Sequence, residues 1–174
     1  HLFAIKESNT IDRNHLKFLG EGLSEADKQN ALRDLKKLLS QFEDAKEYGS
    51  LIHIEPFNWE LLRTFVSNSS ESGQLTMASI GMEETQIKLL KLLDIGMLLA
   101  QKYDVVVTNP PYMGSSGMNG KLSDFVKKYY PDSKSDLFAV FIERCNQITK
   151  INAFQSMITQ HAFMFLSSFE KLRN

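Results

Sequence analysis

The chain has 174 residues, 43% hydrophobic and 24% charged, which is length enough to bury a core and too ordinary a composition for a disordered or low-complexity class. Its 20 Lys and Arg against 21 Asp and Glu leave a net charge of −1, so it lacks the positive surplus of a module that grips nucleic acid by phosphate contacts alone. The one cysteine, Cys145, excludes an internal disulfide and a cysteine-rich zinc site and fits a reducing cytoplasm.

Leu2 to Ile5 is a short apolar run that reads as a strand. The chain opens at His1 without an initiator Met or the layout of a signal peptide, and it reads as a fragment of a larger protein. From Ser24 to about Glu47, Ala31, Leu32, Leu35, Leu38, Leu39, Phe42 and Ala45 recur at three and four residues, which predicts a helix capped by Ser24 with Asp27 in its first turn. Leu51 to Ile54 reads as a second strand and Phe57 to Val66 as a short helix. Ser67 to Gly73 has no apolar residue and reads as a surface loop. A third helix runs from about Glu83 to Gln101, with Ile87, Leu90, Leu93 and Met97 on its apolar face. Leu92 to Ala100, the longest apolar helical stretch, is interrupted by Asp94 and falls far short of the roughly 20 residues that cross a bilayer.

Tyr103 to Thr108, with three consecutive valines, predicts a central strand of a parallel sheet covered on both faces. A loop rich in Gly, Ser and Met follows from Met113 to Gly120, then a charged segment to Lys134. Asp136 to Thr149 predicts a helix, with Ser133 and Asp136 at capping-box spacing. Phe154 to Thr159 reads as a strand and Ala162 to the end as a Phe-rich helix. Strand, helix and strand form a unit whose two strands run parallel, so Asn109-Pro110-Pro111-Tyr112 and Gln160-His161 fall at one edge of the sheet, where open α/β sheets bind ligands.

The chemistry lies in Asn109-Pro110-Pro111-Tyr112. A residue before proline is barred from the helical region and each proline fixes its own φ, so the segment is stiff and extended. Neither proline has an N–H, and the Asn109 side-chain oxygen adds an acceptor, so the corner is a rigid cluster of acceptors. Such acceptors hold a planar amino group with its lone pair turned toward an electrophile. Tyr112 offers a surface on which an aromatic base can stack. The bland alternative is a Pro-Pro that only ends the strand, with Tyr112 in the core. Asn, two Pro and an aromatic residue together, directly after a valine strand, favour amine alkylation.

These residues resemble motif IV of the S-adenosylmethionine-dependent amino-group methyltransferases, (Asp/Asn)-Pro-Pro-(Tyr/Phe/Trp). The run Tyr103 to Ser115, with Ser135 to Arg144 and Met157 to Arg173, is similar to the adenine-specific DNA methyltransferases of the BREX and phage-growth-limitation defence systems. The resemblance covers about the last 70 residues well and the helical first part loosely. It implies an α/β fold, a partial Rossmann-like S-adenosylmethionine-dependent methyltransferase sheet with a helical insertion. Residues 1–174 would be a fragment of one methyltransferase domain, mostly helical over 1–102 and a strand-helix-strand-helix unit over 103–174. It further implies that Asn109 and the Pro110 carbonyl accept hydrogen bonds from the N6 amine of an adenine flipped out of DNA, that Tyr112 stacks on the base and that Pro111 fixes the turn. The implied setting is phage defence or restriction-modification in the cytoplasm, with duplex DNA as partner, other defence-system proteins as possible partners, and no membrane or metal.

Other readings stay open. The same corner serves a protein glutamine or an RNA base amine, and the helices from Ser24 to Gln101 are compatible with a non-catalytic interaction module. Lys121, Lys127, Lys128 and Lys134 either approach phosphates or form a solvated loop. His161 stands at a strand end, where a histidine more often satisfies a backbone group than lines a pocket. His15 and His53 lack ligand-spaced partners, Glu7 and Glu55 read as loop residues near possible strand ends, and Cys145 reads as a small core residue.

The family also carries a Gly-x-Gly turn that cradles the methionine part of the cofactor. Gly20-Glu21-Gly22 follows no convincing strand and reads as a decoy, so which residues contact the cofactor is not given by this sequence. This chain alone is therefore expected neither to methylate DNA nor to bind S-adenosylmethionine tightly. Calorimetric titration checks this, and micromolar binding contradicts it.

Overall fold

The computed structural model describes residues 2–69 and 81–173. The chain divides into two compact units, the first ending at Ala100 and the second beginning at Gln101. Helices with a small parallel sheet make it an α/β chain, as the sequence leads one to expect.

The first unit is helical. A 3-10 turn, Arg13–Phe18, precedes α1 (Glu25–Gln41), α2 (Ala45–Tyr48), α3 (Trp59–Ser67) and α4 (Met82–Ala100). Ser24 caps α1 as predicted: its Oγ accepts from Asp27 N–H at 3.1 Å and donates to Asp27 Oδ2 at 2.7 Å. The single helix expected to Glu47 is broken after Gln41. Asp44 takes a left-handed φ of 53°, and Asn9 holds it there, accepting from the Asp44 N–H and donating to its carboxylate.

Leu2 to Ile5 form no strand, and Leu2 is exposed. The segment that follows is strapped to the end of α1 instead, where Ser8 donates from Oγ to Leu39 O and from N–H to Phe42 O. Leu51 to Ile54 form no strand either: Leu51 ends a 3-10 turn, and Leu51, Ile52 and Ile54 are buried. Apolar character sets burial, and a strand requires a paired ladder besides.

α3 begins at the Asn58 cap, whose Oδ1 accepts from Leu61 N–H. The face expected on α4 is half right: Leu93 is buried and Leu90 partly buried, while Ile87 and Met97 are exposed, and Thr85, Leu89, Leu92, Ile95 and Gly96 are buried instead. Gly96 lies in close packing, since a Cβ there would lie 3.1 Å from the Trp59 ring and 3.2 Å from Leu38. Asp94, the interruption in the apolar stretch, pairs with Arg63 on α3, and His15 Nδ1 meets Thr85 Oγ1 at 2.7 Å. Of the predicted loop Ser67 to Gly73, residues 70–73 lie outside the described residues.

In the second unit, β1 (Tyr103–Thr108) pairs in parallel with β2 (Thr149–Met157). The connection holds two helices, α5 (Gly120–Tyr129) and α6 (Leu137–Ile148). α5 replaces the charged segment that was expected: Asn119 caps it, accepting from Leu122 N–H, and Leu122, Phe125 and Val126 supply its inner face. α6 is capped by Asp136 itself. Ser133 is buried and donates its hydroxyl to Glu143 Oε2 at 2.7 Å, so the capping-box assignment is corrected. β2 begins at Thr149, earlier than predicted, and its register jumps between Tyr103↔Thr149 and Val105↔Phe154 around Asn152, whose φ is 61°.

β1 is not covered on both faces among the described residues. Val105 and Val107 are 59% and 72% exposed, so the valines report strand propensity rather than burial. The predicted C-terminal helix is instead two 3-10 turns, His161–Met164 and Ser167–Phe169, leading into α7 (Glu170–Arg173). In one straight helix Phe163 and Phe169, six residues apart, would point to different sides. The break lets both reach Phe138 and Ala139.

Tyr130 and Arg144 are buried in this unit. Burial pushes the Tyr130 hydroxyl up to about 12, against the pull of Arg144, and burial draws the Arg144 guanidinium down. Between pH 10 and 12 the native state keeps a phenol proton that the unfolded chain has lost, so this stabilisation is complete below pH 10 and is lost as pH rises toward 12. Thermal unfolding across that range is expected to show a fall in stability of about 2 to 3 kcal/mol that is absent in Tyr130→Phe.

Candidate active site

The parallel pair brings the two strand ends together as the sequence suggested. Ile158 N–H donates to Thr108 O at 3.3 Å, and beyond Thr108 the chain enters Asn109-Pro110-Pro111-Tyr112. Asn109 and Pro111 are exposed, Pro110 is buried, and Tyr112 is 48% exposed. The Tyr112 hydroxyl donates to Ile158 O at 3.1 Å, fixing the corner to the chain that leaves β2. Its ring stands edge-on to Phe138, with centroids 6.2 Å apart and planes at 83°. Asn109 is thus at the surface, and Tyr112 is anchored at its tip with much of its ring open.

A second anchor lies where the sequence had suggested only helix capping. Asp136 Oδ1 accepts from Met113 N–H and from Phe138 N–H, each at 3.2 Å. Leu137 N–H donates back to Met113 O at 3.0 Å, Ser115 N–H donates to Ser135 O at 3.0 Å, and Gly114 and Asp136 form an antiparallel bridge. The residues after the corner are therefore laced to the start of α6. The available sequence signal was an Asp directly before an apolar helical stripe, which marks a helix start. That the same carboxylate also reaches back 23 residues is a tertiary fact.

The remaining candidates fall elsewhere. Lys127 and Lys128 lie in the last turn of α5, Lys127 near Asp124 and Lys128 over the Tyr129 ring; Lys121 is in its first turn and Lys134 is exposed beyond it. His161 is exposed with its ring beside Phe165. Glu7 pairs with Lys46, and Glu55 with Lys37. His53 is exposed, while His15 is buried against Thr85. Cys145 is buried, and burial raises its thiol above the usual value. A cavity of about 410 Å³ between α6, β2 and α7 is lined by Glu143, Asn146 and Gln155 among others, and by none of the four corner residues. Among the described residues no group of three His, Cys, Asp or Glu is placed to hold a metal, and no helix is long and apolar enough to cross a membrane.

Gly20-Glu21-Gly22 does not fit a cofactor cradle. The Gly20 N–H is already donated to Phe65 O and Asn68 O, and a Cβ there would meet the Phe65 ring at 2.5 Å. Both glycines have φ near +80°, so the motif makes the turn into α1.

The Eco57I restriction-modification methylase family matches residues 6–174. The chain is similar to the adenine-specific methyltransferase PglX of Lacticaseibacillus casei (strain Zhang), at 49% identity over 142 residues, which is 80% of this chain and 12% of that protein. It is similar also to the adenine-specific methyltransferase BrxX of Escherichia coli O9:H4 (strain HS), at 40% identity over 139 residues, 80% of this chain and 11% of that protein. The chain thus spans little more than a tenth of the length of these curated relatives.

Because Ile158 O takes the Tyr112 hydroxyl at a half-exposed position, Tyr112→Phe is expected to destabilise the chain by about 0.5 to 1 kcal/mol, measured by urea unfolding. A wild-type midpoint would mean that the anchor contributes nothing.

Proposed function

The chain belongs to the Eco57I restriction-modification methylase family, and from that premise we propose that it carries the amine-holding part of a DNA N6-adenine methyltransferase acting in phage defence. On this reading residues 1–174 are part of one methyltransferase domain, with 103–174 belonging to a Rossmann-like sheet and 1–102 a helical insertion. The protein works in the cytoplasm on duplex DNA alongside other defence-system proteins. The observation that carries the reading is the exposed Asn109 beside the anchored, half-open Tyr112 at the carboxyl edge of the parallel pair. The names of the two relatives, both adenine-specific methyltransferases, support the substrate.

The chemistry asks little beyond placement. Asn109 Oδ1 and the Pro110 carbonyl oxygen accept the two N6 hydrogens of an adenine turned out of the helix, which aims the nitrogen lone pair outward. Pro111 holds the turn, and Tyr112 supports the flat face of the base. S-adenosylmethionine supplies an electrophilic methyl group in this reaction. The described residues build no cradle for it, so the chain's own contribution is to hold and orient the amine. The N6 proton displaced on methylation leaves along the hydrogen bond to Asn109 Oδ1 and passes to solvent. Catalysis of this kind rests on fixed acceptors and proximity.

Asn109→Ala in the intact methyltransferase is expected to reduce N6-methyladenine in host DNA at least about a hundredfold, read by mass spectrometry of digested nucleosides. Tyr112→Phe keeps the ring and retains most activity, whereas Tyr112→Ala loses it. Wild-type methylation in Asn109→Ala would refute the proposed role.

A further inference from the structure

We propose that Asp136 is a positioning residue for the corner, setting where Asn109 and Tyr112 present themselves without touching the base; this rests on the function proposed above. The geometry is a closed circuit. Asp136 Oδ1 holds the N–H of Met113, the residue bonded to Tyr112, and the N–H of Phe138, whose ring supports the Tyr112 ring. One oxygen therefore fixes both the backbone beside Tyr112 and the aromatic partner on which Tyr112 leans. The return bond from Leu137 N–H to Met113 O closes the same junction from the other side.

An ordinary helix cap requires only the contact inside the helix, here Phe138 N–H. The contact to Met113 serves no helix, since Met113 belongs to none. A carboxylate suits both contacts: it is charged, stands at the N-terminal end of the α6 dipole, and has lone pairs enough for two donors. Freed from it, the Tyr112–Met113 peptide could rotate, and the corner would lose register with the base by a fraction of an ångström or more. In a reaction driven by placement such an error lowers turnover rather than binding.

The test uses the intact methyltransferase with adenine-methylation-free plasmid DNA and radiolabelled S-adenosylmethionine. Asp136→Ala is expected to lower kcat about tenfold to a hundredfold while KM for either substrate moves less than about threefold. Asp136→Asn keeps an oxygen in the same place and restores kcat to within about threefold of wild type. Asp136→Ser separates the roles, because its hydroxyl caps α6 but is too short to reach Met113, so the protein folds and kcat stays low. Amide hydrogen exchange gives a readout independent of activity: in Asp136→Ser the Phe138 amide stays protected and the Met113 amide is freed. Wild-type kcat in Asp136→Ser, or an Asp136→Ala whose only change is a lower melting temperature, overturns the positioning role. If Asn109→Ala, assayed in parallel, also keeps full methylation, the fault lies with the proposed function and not with the latch alone.

Discussion

The corner after β1 depends on being held still although Pro110 and Pro111 bring no N–H donors of their own to hold it. Two prolines remove the backbone donors and the freedom of φ together, so the segment cannot secure itself by forming a turn or a helix. Its position is imposed from both ends. Thr108 O receives Ile158 N–H, the Tyr112 hydroxyl reaches Ile158 O, and Met113 is held by Asp136. A stiff segment with fixed ends keeps to one backbone path.

The second unit supplies those fixed ends from its interior. Phe138 touches the Tyr112 ring on one side and the Phe169 ring, 5.7 Å away, on another, so the corner, α6 and the turns after β2 share one packed residue. Behind them Tyr130, Arg144 and Cys145 lie buried, and these are the groups that burial moves from their ordinary ionisation. They belong to the packing. Asn109, Pro110 and Pro111 carry no ionisable side chain, so the alignment of acceptors needs no titrating group and is a property of the backbone path.

Much of this path was legible in the sequence. Local chemistry identified the Ser24 cap and the β1 strand, because each is decided by adjacent residues. What escaped was tertiary. Leu2 to Ile5 and Leu51 to Ile54 have strand-like composition, but composition does not supply the ladder that makes a strand, and neither run is one. α5 was hidden by its charge, although Asn119, Leu122, Phe125 and Val126 carry a cap and a helical spacing. The face of α4 was judged only in part, Leu93 correctly and Ile87 and Met97 not, because apolar side chains outnumber the places that accept them. At the corner, the Asn-Pro-Pro-Tyr run and its place after β1 were readable, whereas the 23-residue reach of Asp136 to Met113 was not.

On the proposed function the corner is selective in a definite way. A base amino group satisfies both Asn109 Oδ1 and the Pro110 carbonyl, while a base carbonyl is refused by the Pro110 oxygen, which cannot donate even when the Asn109 amide turns its Nδ2 toward the base; an oxygen left unpaired and buried costs about 1 to 3 kcal/mol. Adenine N6 and cytosine N4 both pass this filter, and guanine O6 and thymine O4 do not. The choice between the two amines therefore cannot come from Asn109 and Pro110; it falls to the size of the ring that fits against Tyr112 and to groups that meet the far edge of the base. The near-neutral charge of the chain agrees with such a division. On the proposed function this piece would contribute chemistry at one nitrogen, and its net charge supplies no surplus of cations for a grip on the phosphate backbone.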